Sequence, residues 1–291
     1  MVLVIGGAGY IGSHMCKLLR ESDEPHVAMD NLEKGHRDAL QATPLIEGDI
    51  REPEDIKRAL RIAQPDVVMH FAAFIQVGES VQKPAEYWQN NLVAMLGLMI
   101  EMVAAGVKQL VFSSTAAVFG EPQYVPIDED HPKAPTSPYG DTKLAVEMAL
   151  DGYERAYGLR SVALRYFNAC GSDPDGVLGE DHDPETHLIP AAILASLGRT
   201  PPMTIFGDDY DTPDGTCVRD YVHVMDLAQA HLLAIKYLRE GNASRKFNLG
   251  NGTGFSVKEV IETVERATGR EVPRSMGARR AGDPARLVAS S

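Results

Sequence analysis

The sequence predicts an α/β protein: a doubly wound parallel sheet followed by a smaller α/β lobe toward the C-terminus. Three observations carry this expectation. The chain opens on a continuous apolar run, Val2-Leu3-Val4-Ile5, that breaks into Gly6-Gly7-Ala8-Gly9-Tyr10-Ile11-Gly12. Short apolar runs then alternate with helix-patterned stretches as far as Tyr166. Past Asn168 the texture changes to segments rich in Gly, Asp and Pro, around 171–187 and 208–215.

Each element has its own signal. Val2–Ile5 is apolar at every position, as a strand buried on both faces must be. Ile11–Arg20 has helical periodicity. Val27–Asp30 is a second strand ending on an acid, and Leu45–Glu47 a weak third, closed by Gly48-Asp49-Ile50. Pro53–Ile62 is a helix whose proline stands at the start, where its missing N–H does no harm. Val67–Ala73 is a fourth strand, residues 90–105 form a long apolar helix, and Gln109–Phe112 is a fifth strand. Pro138–Tyr157 is helical and Ser161–Tyr166 is a sixth strand. Val218–Val224 and Lys246–Leu249 read as strands returning to the main sheet. The alternation argues for a Rossmann-like arrangement.

Composition excludes several classes. Hydrophobic residues make up 44% and charged residues 24% of 291, an ordinary globular balance. With 28 Lys and Arg against 41 Asp and Glu, the net charge of −13 opposes nucleic acid or an anionic membrane as partner. Three cysteines, Cys16, Cys170 and Cys217, are odd in number and widely spaced, so no disulfide framework is expected. The most apolar stretch, Leu92–Ile100, is far shorter than the ~20 residues of a membrane span. No leader pattern precedes the first strand, and a cytoplasmic location is expected.

The chemistry lies in two constellations. Gly6, Gly9 and Gly12 follow a strand and open a helix, and Asp30 stands 18 residues past Gly12 at a strand end. That context is the dinucleotide fingerprint: the glycines admit the pyrophosphate to a helix N-terminus, and the acid accepts from ribose hydroxyls. An acid there repels a 2′-phosphate, so NAD is expected rather than NADP. Tyr10 and Ile11 in the loop, Asn31 after the acid, Asp49 and Ile50 at the adenine, and Phe71-Ala72-Ala73 beside the ribose complete the expected cofactor contacts.

The second constellation is Tyr139-x-x-x-Lys143, some two dozen residues after Ser113-Ser114-Thr115. At i and i+4 the two side chains share a helical face. A phenol titrates near pH ~10, and each unit of lowering takes about 1.4 kcal/mol. A lysine and an oxidised nicotinamide both favour the phenolate. Tyr139 is therefore expected to take a proton from an alcohol, with Lys143 as its partner, Thr115 as a relaying hydroxyl and Ser113 near the cofactor. Arg219 and Arg280 suit a diphosphate; spacing alone leaves that open against solvated surface arginines. His182 and His187 lack the spacing of a helical metal pair, and no metal is expected. No Gly-x-Ser-x-Gly elbow argues for a hydrolase.

These motifs resemble the extended short-chain dehydrogenase/reductases, and among them the epimerases of UDP-hexoses. The likeness runs through Gly6–His14, Val77-Gly78-Glu79-Ser80 with Lys83-Pro84, Asn90-Asn91, and Tyr139–Lys143. It continues through Arg165-Tyr166-Phe167-Asn168, Asp214-Gly215-Thr216, Arg219–Val224 and Arg280-x-Gly282-Asp283. The resemblance implies NAD-dependent, reversible 4-epimerisation through a transient 4-keto sugar, in a homodimer formed through 93–104 and 144–157. It implies residues 1–168 as the NAD-binding domain and 169–291 as mainly the nucleotide-sugar lobe. It puts Asn90, Lys143 and Phe167 at the cofactor, and Thr115 and Tyr139 at the sugar. Asn168, Arg219 and Arg280 would hold the diphosphate; His187, Leu188 and Phe206 would line the uracil side, and Asp283 would bind the uridine ribose.

The chain departs from the family in having Ile75 where a lysine is frequent and Leu287 where a tyrosine is frequent; the usual C-terminal helical tail has no counterpart before Ser291. A nucleotide-sugar 4,6-dehydratase would need acids after the Ser/Thr cluster, where this chain has Thr115-Ala116-Ala117-Val118. A non-catalytic NAD sensor would have no use for Thr115, Tyr139 and Lys143 together.

Overall fold

The structure, a computed structural model, describes residues 1–280 and 283–290. Six strands, β1 (Val2–Ile5), β2 (His26–Asp30), β3 (Leu45–Glu47), β4 (Val67–His70), β5 (Gln109–Thr115) and β6 (Arg160–Tyr166), join a seventh, Arg245–Leu249. Their order across the sheet is Arg245–Leu249, β6, β5, β4, β1, β2, β3, and every neighbouring pair is parallel. Chain order reverses between β1 and β4. At such a switch point the connecting segments leave in opposite directions and open a crevice at the carboxyl ends of the strands.

Both sheet faces are covered, which is why β1 shows no polar alternation. Leu3 and Ile5 pack with Ile56, Met95, Leu98, Val146 and Leu150 on one face. Val2 and Val4 pack with Met15, Leu19, Leu232 and Ile235 on the other. Each such side chain contributes roughly 1.5–3 kcal/mol by leaving water. A separate small core of Ala192, Ala195, Ile205, Ile261, Val264 and Val272 lies within the C-terminal 120 residues.

Three sequence expectations shift. The fourth strand stops at His70 rather than Ala73, because its neighbour β1 ends at Ile5, beyond which Gly6 turns the chain away at φ +78°. The apolar helix spans Ala94–Ala104, and a wider π-helical turn, Trp88–Val93, precedes it. Val218–Val224 does not return to the main sheet. Val218–Arg219 pairs with Phe255–Ser256 and Arg286–Leu287, and Tyr221–His223 pairs with Asn168–Cys170. The break falls on Asp220, whose buried carboxylate accepts from Asn251 N (2.7 Å), Gly252 N (3.1 Å) and Ala289 N (3.1 Å).

The helix Pro138–Tyr157 begins where Ser137 Oγ accepts from Gly140 N, has proline in its first turn, and ends on Gly158 at φ +68°. Its inner face is tied down by a buried ion pair. Arg165 of β6 donates to Glu147 through Nε (2.9 Å) and Nη2 (2.6 Å), and Ser114 of β5 donates to the same carboxylate at 2.6 Å. Both charged side chains are 2% exposed. Breaking such a pair strands one charge out of water. Glu147→Gln is therefore expected to cost about 3–5 kcal/mol in chemical denaturation, and Glu147→Leu with Arg165→Met much less than either change alone. Equal losses in single and double variants would show that the pair matters only for its volume.

Buried His70 of β4 and buried His231 of the helix Val224–Arg239 both lack full hydrogen bonding. His231 Nδ1 donates to Leu227 O (2.7 Å) while its Nε2 has no partner among the described residues, and neither ring nitrogen of His70 has one. Burial pushes His231 down to about 4 and His70 to about 3. A depressed histidine is neutral when folded but binds a proton when unfolded, so stability is full above pH ~6.5 and falls as pH drops toward the folded values. His231→Phe should lose roughly 1–3 kcal/mol less than the parent between pH 6.5 and 4.5. Parallel pH–stability curves would contradict this.

Candidate active site

The glycine loop, Asp30 and Thr115 all lie at the carboxyl edge of the main sheet because its parallel strands all end there. Gly6 lies at the switch point, and a Cβ on it would stand 2.6 Å from Ala72 N. A Cβ on Gly12 would stand 2.0 Å from Gly6 O. Only bare backbone permits this approach of loop, strand β4 and helix Tyr10–Glu21. That helix starts at Gly9 with no side-chain cap, which leaves its first N–H groups facing the crevice, and Ile11 lies half-buried in the first turn. Asp30 Oδ2 accepts from Ala8 N (2.9 Å) and Oδ1 from Leu32 N (2.8 Å), so the acid fixes the loop and keeps lone pairs for a diol.

The rim beyond is a polar chain. Asn31 donates to Asp49 at 2.9 Å, and Arg51 binds both Asp49 and Glu33. Burial favours the neutral Asp49 carboxyl, but Arg51 and Asn31 outweigh it and hold Asp49 at about 2. Ile50 beside it is buried. Asn91, next to Asn90 in the π turn, accepts from Phe74 N and donates to Phe74 O, both at 2.9 Å. It clamps the half-buried Phe71–Ala73 segment in place and takes Asn90 Nδ2 at 3.0 Å. Sequence reasoning missed Asn91 as a clamp; its buried amide is a tertiary property with no periodic signal. The residues present thus fit a dinucleotide: a glycine cradle, an uncapped helix start and a diol acceptor.

The Tyr/Lys helix lies against β5. Tyr139, Lys143 and Glu147 follow one another at i, i+4 and i+8, a single stripe down the face that meets the sheet. Lys143 Nζ donates to Ser113 O at 2.9 Å and sits 5.0 Å from the Phe112 ring centre. An ammonium has three N–H donors, and Ser113 O is its acceptor among the described residues, leaving two for a bound diol. Burial pushes Lys143 down to about 7. Burial also pushes the Tyr139 phenol up, offset in part by the Thr115 hydroxyl. Thr115 Oγ1 accepts from Ala117 N at 3.2 Å, and the Ser113 hydroxyl is engaged with Tyr166. The three expected catalytic groups therefore meet at the end of β5.

The remaining expected residues are spread over Phe167, the strands and helix after it, and the segment around Arg280 and Asp283. Phe167 packs with Ala116, Val118 and Phe119. Asn168 donates its N–H to Asp220 O at 3.0 Å and so stands beside Arg219. Arg219 forms an ion pair with Asp283, which sequence reasoning assigned to separate parts of the ligand. Arg280 lies 4.0 Å over the ring of Phe206. Gly282 of the same motif lies outside the described residues. Leu188 opens the helix Leu188–Ser196, and His187 before it contacts Glu180 at 2.8 Å. Tyr10 donates to Gly171 O at 2.6 Å and joins the glycine loop to this half.

Comparison with known proteins agrees with the geometry. The model of the NAD dependent epimerase/dehydratase family matches residues 2–250. A UDP-glucose 4-epimerase of Halalkalibacterium halodurans is 52% identical over 290 residues, covering 100% of this chain and 87% of that protein. One of Azospirillum brasilense is 52% identical over 291 residues, covering 100% of this chain and 84% of that protein. The crystal structure of UDP-glucose 4-epimerase from Brucella ovis in complex with NAD superposes with a TM-score of 0.97 at 49% identity, covering 99% of this chain and 89% of that one. The Bifidobacterium longum enzyme in complex with NAD+ and UDP gives 0.94 at 39% identity, covering 100% and 90%. Sheet order, glycine cradle and Tyr/Lys helix thus coincide with sequence likeness along the whole chain, which belongs to the NAD dependent epimerase/dehydratase family.

Proposed function

We propose that this chain is a UDP-glucose 4-epimerase, which interconverts UDP-galactose and UDP-glucose through a transient 4-keto sugar. The observation that carries the reading is the stripe Tyr139–Lys143 beside Thr115 in the same crevice edge as the glycine cradle. NAD, when bound, supplies reversible hydride transfer at the C4 carbon. Tyr139 takes the C4 hydroxyl proton and returns it to that same oxygen after the keto sugar has turned to present its other face. Burial raises its phenol, offset in part by the Thr115 hydroxyl; a Lys143 ammonium one turn away would favour the phenolate, and a phenolate in turn the charged lysine. Thr115 orients the sugar oxygen and passes the proton.

Gly6, Gly9, Tyr10, Ile11 and Gly12 would hold the pyrophosphate, Asp30 and Asn31 the adenosine ribose, and Asp49 and Ile50 the adenine. Phe71, Ala72, Ala73, Asn90, Ser113, Lys143 and Phe167 would surround the nicotinamide half. Asn168, Arg219 and Arg280 would grip the diphosphate, with His187, Leu188, Phe206 and Asp283 around the uridine. The Arg219–Asp283 pair implies that the nucleotide arrives at a preformed arginine, which Asp283 keeps oriented until the ribose displaces or shares it. Residues 1–168 with the strand Arg245–Leu249 act as the NAD-binding domain, and the small core about Ile205 and Ile261 supports the nucleotide-sugar lobe.

The protein acts as a homodimer in the cytoplasm. The support is apolar surface on two neighbouring helical stretches, with Val93 47%, Ile100 55% and Met148 66% exposed. Among the described residues no helix is long and apolar enough to cross a membrane.

The purified chain should carry NAD and equilibrate UDP-galactose with UDP-glucose without added oxidant, as resolved by chromatography; net accumulation of NADH with an oxidised sugar would identify a dehydrogenase instead. Tyr139→Phe should cut turnover by ~10²-fold or more while UDP affinity barely changes. A parallel collapse of UDP binding would make Tyr139 structural. Arg219→Ala should weaken UDP binding roughly 10- to 150-fold, the loss of a charged hydrogen bond, with NAD content retained. Calorimetry with UDP that finds no change in the folded variant would move the diphosphate elsewhere.

A further inference from the structure

The segment between Gly179 and Leu188 closes on itself so that Glu180, His182, Glu185 and His187 each present one ligand atom, all within 4.8 Å of one another. The i, i+2, i+5, i+7 spacing matches no helical pair, so no one-dimensional pattern signals it. His187 Nδ1 lies 2.8 Å from Glu180 Oε1 and 3.1 Å from Glu185 Oε1. His182 Nδ1 lies 3.3 Å from Glu180 Oε1 and 3.7 Å from Glu185 Oε2. Metal–ligand distances of about 2.0–2.2 Å set tetrahedral edges of roughly 3.4 Å, in the middle of that range.

We propose that Glu180, His182, Glu185 and His187 bind one divalent transition-metal ion of the zinc class, which fastens this segment beside Tyr10 at the entrance of the dinucleotide crevice. A plain ion pair accounts for only half of the cluster. A protonated His187 could bridge the two carboxylates, but His182 Nδ1 would remain out of contact with water and without a hydrogen-bond partner among the described residues, as it is here. Both carboxylate side chains are only 8% exposed, so two negative charges share a nearly dry space. One doubly charged ion neutralises both and uses the unpartnered nitrogen. Two imidazoles with two carboxylates and no thiolate suit zinc, and hard cations such as calcium prefer six or more oxygens.

The location gives the ion a mechanical role. The His182 ring meets the Tyr10 ring edge-on at 6.2 Å, and Tyr10, directly after Gly9, is the first residue of the helix Tyr10–Glu21. His36 Nε2 reaches Asp181 O at 3.3 Å from the other side. His187 leads directly into the helix Leu188–Ser196. Ordering residues 180–187 thus couples the cofactor side of the crevice to the uridine side.

The test uses the full chain and zinc alone. Chelator-stripped protein is titrated with Zn²⁺ against a chromophoric chelator at pH 7.5, and the bound metal is examined by X-ray absorption. One equivalent per chain with only nitrogen and oxygen neighbours is expected. His182→Ala and Glu185→Gln should each weaken binding at least 10-fold, and zinc at about a hundredfold excess over Kd should raise the parent's melting midpoint by about 5 °C but not the double variant's. No stoichiometric zinc, a sulfur neighbour in the absorption spectrum, or unchanged affinity in the folded variants would overturn the site. The parent's stoichiometry and ligand atoms decide the question even where a variant fails to fold. None of these readouts involves a sugar nucleotide, so the site can fail while the epimerase reading stands.

Discussion

Arg165 on β6 and Glu147 on the helix Pro138–Tyr157 meet in a bidentate ion pair that water does not reach, with Ser114 of β5 on the same carboxylate. A helix packed by apolar contacts alone can rotate several degrees about its axis at little cost. A fork-shaped guanidinium tolerates far less, because both N–H groups must stay aligned with both oxygens. Glu147 lies four residues past Lys143 and eight past Tyr139, so fixing its azimuth fixes theirs. The same pair lies 5.3 Å from the Phe119 ring through Arg165, which extends the restraint into the loop after β5. The pair's value is placement more than net stability, since two desolvated charges roughly offset their own attraction.

Placement matters because the electrostatics at the end of β5 are balanced between opposing effects. Burial raises Tyr139 and lowers Lys143 to about 7, each away from its useful charged form. The buried His70 nearby, itself held near 3, stays neutral and adds no competing charge. The Ser113 carbonyl accepts from the lysine, and the Thr115 hydroxyl offsets part of the effect of burial on the phenol. Small displacement would weaken the coupling, as such interactions in a low-dielectric site fall quickly once a water molecule enters.

The crevice's two halves are held by unlike means. On the cofactor side the restraint is steric: Gly6 and Gly12 admit backbone contacts that no side chain could survive. Beyond Asn168 it is polar. Asp220 gathers three backbone N–H groups from two distant segments, and Arg219 and Asp283 hold each other. Lys17, packed against Asp173 at 2.9 Å, joins the helix Tyr10–Glu21 to the loop beyond Asn168. A rigid cradle suits a cofactor that stays, and exchangeable ion pairs suit a substrate that leaves.

The sequence by itself determined the strand–helix alternation, the glycine cradle with Asp30, and the Tyr139/Lys143 stripe. Those features are local: an apolar run, a fixed spacing along a helix and a missing Cβ act over a few residues, so their pattern survives in one dimension. Helix Pro138–Tyr157 has the bounds read from the sequence, and the structure shows Ser137, Pro138 and Gly158 punctuating it. The tertiary structure alone decided that Val218–Val224 splits between two small sheets, that Arg219 and Asp283 pair, that Asn91 clamps Phe74, and that two histidines and two glutamates converge after Gly179. Each is a contact between atoms whose partner is chosen by how elements pack, or by a loop with no period. Hydrophobic burial sets that packing without direction, and the polar partners are specified only once the backbone has brought them within reach.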